Sequence, residues 1–138
     1  MIIAIRMSGL TGTRAVQEAT LDTLMLRKKY NCVLLTTADL PRIASVREML
    51  TFGEVDDATL KMILAKRALM LEKKKPLMNV DDIIKGLNAG KTLKQLGVRP
   101  YLRLHPPIGG FKVSTRLPYP QGVLGNNKDI EKLVKRML

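Results

Sequence analysis

The side chains of this sequence that could do chemistry are mainly cations, and their number suits binding to a polyanion. The chain has 24 Lys and Arg residues against 12 acidic residues, a net charge of +12. Residues 1–55 hold 7 basic and 5 acidic residues, whereas residues 56–138 hold 17 and 7. Such an excess repels itself unless an anionic partner neutralises it. The pattern therefore favours a nucleic acid, whose phosphates release counterions when cations bind.

The segment 99–112, RPYLRLHPPIGGFK, is the most distinctive candidate for RNA contact. No acidic residue occurs between Ile83 and Lys128, a stretch that holds eight Lys or Arg residues. Cations and His could bond phosphate oxygens, aromatic rings could stack on a splayed base, and a double glycine lets the backbone approach closely. These residues are Arg99, Arg103, His105 and Lys112; Tyr101 and Phe111; and Gly109 and Gly110. A proline-glycine surface loop that closes over the core fits the composition equally well.

Residues for catalysis or metal binding are sparse. His105 and Cys32 are the single histidine and cysteine of the sequence, so a zinc site is not expected. The acid pairs Asp56-Asp57 and Asp81-Asp82 are typical of helix starts. The loop from Ser8 to Thr13 lacks the Gly-Lys-Ser/Thr ending of a phosphate-binding loop. The sequence therefore predicts no enzyme, no cofactor, no metal and no small-molecule substrate.

Hydrophobic periodicity in residues 1–55 predicts a β-α-β-α-β core. Short apolar runs predict strands at 2–7, 31–37 and 50–54. Helices are expected at 14–28 and 39–49, the second opening with Asp39 and Pro41. This order favours one sheet with helices packed on one face, an α+β fold.

Residues 56–138 are predicted to form a basic C-terminal extension to that core, so the chain divides into 1–55 and 56–138. A helix over 58–72 would end at Lys73-Lys74-Lys75-Pro76, and a second helix and a helical turn would follow at 80–90 and 91–96. The proline- and glycine-rich stretch 101–126 is expected to be mostly extended loop. A terminal helix over 128–138 should direct four residues inward: Ile130, Leu133, Val134 and Met137.

The N-terminal apolar run is too short for a signal peptide, because Arg6 interrupts it. No stretch of the sequence approaches 18 apolar residues. We therefore expect a cytoplasmic protein without a membrane partner.

Four motifs point to a known family. They are, in chain order, Ile3–Arg6 followed by Thr20–Leu26; Thr51–Glu54 followed by Thr59-Leu60 and Ala65–Arg67; Leu102–Pro107 with Gly109-Gly110; and Gly122–Gly125 followed by Asp129–Leu138. With these motifs the chain resembles the archaeal and eukaryotic type of the L-thirty family of large-subunit ribosomal proteins, whose eukaryotic member has been called L-seven. The third motif is the most specific, and the resemblance spans nearly the whole chain.

The resemblance implies a ferredoxin-like core, with a C-terminal extension, that assembles on 23S-type rRNA close to 5S rRNA, beside other large-subunit proteins. The sequence departs from the family at Leu40–Ile43, where an Arg-Gly-Met run is usual; Arg42 and Arg47 are the substitutes. Ile108 stands where the family usually has Arg, and residues 72–98 form a shorter stretch than usual.

Charge and resemblance together predict a structural ribosomal protein that binds rRNA by shape and backbone. The alternative is a free-standing regulator that binds DNA or RNA, which should show a recognition helix or stacking residues on a sheet. The predicted RNA-binding residues are Arg6, Arg14, Arg42, Arg47, Arg99, Arg103, His105, Gly109, Gly110, Lys112, Arg116 and Lys128.

Overall fold

The computed structural model describes residues 1–9, 11–71 and 79–138, which form one six-stranded sheet with helices on both faces. The strands are β1 Ile2–Arg6, β2 Asn31–Leu35, β3 Leu50–Glu54, β4 Leu102–Arg103, β5 Ser114–Pro118 and β6 Gly122–Asn126. The helices are α1 Ala15–Thr23, α2 Leu40–Ala44, α3 Asp57–Arg67, α4 Val80–Asn88 and α5 Ile130–Met137, with a 3-10 turn at Thr37–Asp39. The strand order is β4-β2-β1-β3-β6-β5.

Strand β1 lies at the centre of the sheet and pairs antiparallel with both β2 and β3. Its residues are buried without the polar alternation of a half-exposed strand. Ala4 faces a cluster built with α1 and α2, whereas Ile3 and Ile5 face a cluster built with α3, α4 and α5. Helices of residues 1–55 do lie together on one face, as predicted, but the sheet as a whole is covered on both.

The predicted strands of residues 1–55 are confirmed, and the helices there are shorter than expected. Helix α1 ends at Thr23, and Met25 and Tyr30 then adopt positive φ angles of 60° and 64° as the chain turns into β2. The expected helix over 39–49 is a 3-10 turn followed by the five residues of α2. The mixed sheet and helices confirm the α+β, ferredoxin-like class.

The terminal helix is also confirmed, since the four residues expected to point inward are all buried. Helix α3 ends at Arg67 rather than near residue 72, because Ala68 adopts an extended conformation. The predicted helix stop at residues 73–76 lies outside the described residues.

The alternation of Tyr101 and Arg103 with Leu102 and Leu104 predicts a strand, and β4 confirms it. The prediction of mostly extended loop over the rest of 101–126 is wrong in part, since that stretch holds β5 and β6. Strand β6 pairs in parallel with β3 and buries Val123 and Leu124. Strand β5 pairs with β6 in an irregular register at the edge of the sheet. These strands are short and bounded by glycine or proline, so their local sequence is typical of turns.

Gly53 shows how closely residues 56–138 pack on residues 1–55. A Cβ atom added there would lie 2.5 Å from the backbone oxygen of Asn127. The Asn127 backbone N–H donates a hydrogen bond to the Phe52 oxygen at 2.8 Å. Residues from both ranges thus contribute to one hydrophobic cluster.

Candidate nucleic-acid interface

Three arginines from separate parts of the chain line two clefts that share one of them. Arg14 and Arg47 line a cleft of about 470 Å³ between the start of α1 and the turn after α2. Arg47 and Arg116 line a second cleft of about 820 Å³, between that turn and β5. We call Arg14, Arg47 and Arg116 the arginine strip.

The fold fixes the backbone beneath each arginine of the strip. Arg14 precedes α1, where its N–H donates to Gln17 Oε1 at 3.4 Å. Arg47 follows the buried Val46 in a turn closed by backbone hydrogen bonds. Arg116 lies on β5, whose five residues are all exposed.

The strip is exposed, and none of its side chains forms an ion pair with a described residue. Glu48 lines both clefts and is the acidic residue nearest to this group. A planar guanidinium presents donors in a fork that matches phosphate oxygens. The strip can therefore bind an extended series of phosphates across two concave surfaces.

Arg6 does not belong to this surface, and its burial argues against the predicted role in RNA binding. Its side chain is only 1% exposed and donates hydrogen bonds to four backbone oxygens, of Ser8, Gly9, Leu26 and Arg27. Burial lowers the pKa of the Arg6 guanidinium, and the charges of Glu18 and Asp22 partly oppose that shift. Arg6 therefore joins the loop after β1 to the turn after α1, with four of its five N–H donors used by backbone oxygens and the guanidinium enclosed.

Arg42 is exposed but already has an acidic partner. Its Nη1 atom lies 3.4 Å from Asp39 Oδ1, one residue before α2. The other oxygen of Asp39 accepts hydrogen bonds from the backbone and hydroxyl of Thr36. This pairing weakens the field that Arg42 presents to an anion.

Arg99 and Arg103 lie at the opposite edge of the sheet from Arg116. Four strands separate β4 from β5, which corresponds to about 24 Å at the usual strand spacing. Arg103 is exposed, with its guanidinium carbon 6.0 Å from the centre of the Tyr101 ring. Arg99 is half-buried, and its backbone N–H donates to the Leu69 oxygen. The predicted cations thus form at least two separate groups.

The loop from His105 to Gly110 is fastened to the end of α5. His105 and Ile108 donate backbone hydrogen bonds to the oxygens of Met137 and Arg136 at 3.0 and 2.9 Å. The Arg136 guanidinium donates to the backbone oxygens of Ile108 and Gly110. The backbone thus closes over the core, as the surface-loop alternative expects. The His105 side chain and both glycines remain exposed.

Lys112 and Lys128 are exposed as well, and they lie near cations that the sequence reasoning missed. Lys112 lines a third cavity together with Lys132 and Arg136 of α5. The inward face predicted for α5 already implied that Lys132 and Lys135 point outward. A helical projection of that segment could therefore have added them to the candidate list.

The described residues hold no group of three or more His, Cys, Asp or Glu side chains placed to bind a metal. Cys32 is buried, and burial raises the pKa of its thiol well above the ordinary value. No helix among the described residues is long and apolar enough to cross a membrane.

No family model matches the chain, but individual proteins do. Large ribosomal subunit protein uL30 of Saccharolobus islandicus (strain L.S.2.15 / Lassen #1) is 34% identical over 137 residues, 86% of each chain. The uL30 proteins of Korarchaeum cryptofilum and Methanothrix thermoacetophila are 29% and 28% identical and cover 100% and 99% of this chain, and 95% and 99% of their own. With this identity over most of both chains, the chain belongs to the uL30 family of large ribosomal subunit proteins.

Proposed function

We propose that the chain is a structural constituent of the large ribosomal subunit that binds 23S-type rRNA close to 5S rRNA. Its further partners are neighbouring large-subunit proteins, and its location is the ribosome in the cytoplasm. The names of its relatives, each a large ribosomal subunit protein, support the assembly. Membership of this family agrees with the prediction that the chain is not an enzyme.

The arginine strip is the observation that carries the rRNA-binding part of the proposal. Three exposed guanidinium groups, none of them ion-paired with a described residue, line adjoining clefts. Keeping unpaired cations close together is costly in repulsion, and a phosphate backbone removes that cost. The remaining exposed cations, at the β4 edge and along α5, would contact RNA on other sides of the protein, as expected for a protein that joins RNA helices.

Binding of the full chain to 23S-type rRNA, measured over a range of salt concentrations, tests this proposal. For about 6–10 phosphate contacts, affinity should fall by roughly 10³–10⁵ between 50 and 200 mM salt. Replacing all three strip residues with Gln should lower the slope of log affinity against log salt by about 3. A flat salt response of the wild-type protein would overturn the proposal.

Lys61→Gln is the matched control for a single strip variant, Arg47→Gln, because each substitution removes one positive charge. Lys61 is an exposed cation too, but its Nζ atom lies 2.6 Å from Asp81 Oδ1 on the α3–α4 layer. Its removal should leave the salt slope unchanged. An equal loss in the control and the strip variant would mean that only net charge matters and that the strip is not a site.

Proximity to 5S rRNA needs a separate experiment. A photo-crosslinker placed at position 103 or 116 would report on opposite edges of the sheet in assembled large subunits. We expect the two positions to crosslink different RNA segments, one of them in 5S rRNA or in the 23S-type rRNA next to it. Crosslinks from both edges to 23S-type segments remote from 5S rRNA would contradict this part of the proposal.

A free-standing nucleic-acid-binding regulator is the competing function, and the structure favours it less. Helix α3, which the sequence offers as a recognition helix through Lys61, Lys66 and Arg67, packs four buried residues into the core, and its Lys61 is paired with Asp81. Co-sedimentation separates the two functions: a ribosomal constituent stays with large subunits in high salt, whereas a regulator is released.

A further inference from the structure

A cavity of about 410 Å³ lies between the β5–β6 connection and α5 and combines aromatic, cationic and amide groups. None of the three strip arginines lines it, although Tyr119 lines both this cavity and the larger cleft of the strip. We propose that this cavity binds one unpaired guanine nucleotide of RNA, stacked on Phe111 and held at its edge by Asn127 and Asp129. The inference rests on the proposed function, and it adds a base-specific contact to the phosphate contacts described above.

Phe111 forms an aromatic wall of the cavity and packs against Tyr30 on its other side. The rings of Phe111 and Tyr30 are stacked, with centroids 6.4 Å apart and an angle of 24° between their planes. Lys29 in turn lies 5.0 Å from the centre of the Tyr30 ring. Because Phe111 is ordered by this stack, little conformational entropy is lost when a base packs against it. Tyr119 lines the cavity as well, and single-stranded bases are commonly held by such aromatic side chains.

Asn127 supplies a hydrogen-bond donor for a base. The residue is only 4% exposed, and its Oδ1 atom accepts the Asp129 backbone N–H at 2.8 Å. That bond fixes the orientation of the side chain, and the amide nitrogen makes no hydrogen bond to another described residue. A fixed NH₂ group in this cavity favours a base with a carbonyl or ring-nitrogen acceptor.

Asp129 supplies the matching acceptor. Its carboxylate accepts hydrogen bonds from Lys132 at 2.7 Å and from the Tyr119 hydroxyl at 3.2 Å. These bonds, that of Lys132 foremost, hold the pKa of Asp129 below its ordinary value, so the group is charged at neutral pH. A carboxylate can accept about four hydrogen bonds, so capacity remains for a ligand.

The two groups together match guanine better than the other bases. Guanine has two neighbouring donors, N1–H and N2–H, which one carboxylate can accept together, beside the O6 acceptor for an amide NH₂. Adenine and cytosine offer the carboxylate one N–H of an amino group and uracil offers one ring N–H, so each of them would form one bond fewer. Lys112 lies at the same cavity, where it can bind the phosphate of the nucleotide, whereas Lys132 is paired with Asp129.

Titration of the full chain with single nucleotides, followed by NMR chemical shifts, tests this inference. The probes are GMP, AMP, CMP, UMP and ribose 5-phosphate. We expect saturable shifts at the Asn127 side-chain amide with GMP, at least about fivefold tighter than with the other nucleotides, which corresponds to a single good base contact. Equal binding of all four nucleotides, or equal shifts with ribose 5-phosphate, would overturn it.

Phe111→Leu tests the stacking surface while keeping an apolar side chain against Tyr30. GMP affinity should fall by at least about fivefold, because stacking on an aromatic ring contributes roughly 1–3 kcal/mol per base. Met62→Leu is the control, since Met62 is an exposed apolar residue of α3 that does not line this cavity. Equal effects of the two variants would count against the inference.

Failure of this inference is distinguishable from failure of the proposed function. If wild-type protein binds rRNA with a steep salt dependence but shows no preference for GMP, the guanine site is absent and the rRNA-binding function stands. If the wild-type protein ignores rRNA at low salt, the function itself fails.

Discussion

Arg6 and the arginine strip show the same side chain in two opposite situations. The Arg6 guanidinium is enclosed, and backbone oxygens accept its hydrogen bonds. The strip guanidiniums are exposed, lack ion pairs among the described residues and line concave surfaces. Net charge counts all four arginines equally. Only the neighbours of each arginine separate a residue that stabilises the fold from residues available to a ligand.

Replacement of Arg6 should have the largest effect and should act on stability. Arg6→Met leaves four backbone oxygens without their donor, so we expect the free energy of unfolding to fall by about 2–4 kcal/mol. Urea denaturation measures this change, and Arg6→Lys should lose less because it keeps part of the donor set. A variant as stable as wild type but defective in rRNA binding would reverse the assignment of Arg6.

Replacement of Arg47 should come next and should act on binding alone. Arg47→Gln removes the cation that both clefts share, so rRNA affinity should fall about tenfold, with the salt slope lowered by about 1. Arg14→Gln and Arg116→Gln each affect one cleft and should weaken binding less. Urea denaturation of all three variants should match wild type. Equal losses at all three positions would show that the clefts act independently.

Arg42 lies between Arg6 and the strip, because it is exposed but its charge is partly neutralised. Its replacement should therefore have a smaller effect on binding. Because Asp39 lies 3.4 Å away, Arg42→Gln should weaken rRNA binding less than Arg47→Gln does. Asp39→Asn keeps the size of the side chain and frees the charge of Arg42, so affinity should rise by a few-fold at low salt. A fall in affinity on that substitution would show that Asp39 orients Arg42 for RNA.

The exposed pair Lys61–Asp81 should give the smallest effect, and one that depends on pH. The hydrogen bond that Lys61 donates to Asp81 lowers the pKa of Asp81 below the ordinary 3.8. Because the pKa of Asp81 is lower in the folded state than in the unfolded state, the ion pair stabilises the protein at pH values above the ordinary pKa. This stabilisation is lost as the pH falls through the pKa of the folded state. Asp81→Asn should therefore be slightly less stable than wild type at pH 7 and equally stable near pH 2. A difference that persists in acid would exclude the ion pair as its cause.

Elements with a periodic pattern of burial were predictable from local sequence. Strands whose pairing depends on residues distant in the chain were not. The strands β1 to β3 and the inward face of α5 follow from apolar spacing alone. Strand β6 becomes a strand only because β3 offers it a partner some 70 residues away in the chain. The glycines of this segment predict a turn when only neighbouring residues are considered.

The candidate interface was predictable as a set of residues but not as an arrangement. Arg14, Arg47 and Arg116 were each predicted, yet their grouping depends on how α1, the turn after α2 and β5 pack together. The burial of Arg6 could have been predicted from the sequence of β1. A strand without polar alternation is covered on both faces, so the cation that ends it is enclosed as well.

The close packing of Gly53 against Asn127 has a consequence for synthesis of the chain. Strands β1, β2 and β3 are complete once residue 54 has been made, whereas the helices that cover Ile3 and Ile5 follow later, α3 to residue 67, α4 to residue 88 and α5 to residue 137. During translation this apolar face is therefore only partly covered until α5 has been made, and such long-range closure is slow compared with local folding. We expect the nascent chain to need protection of this face, by a chaperone or by RNA, until α5 has emerged.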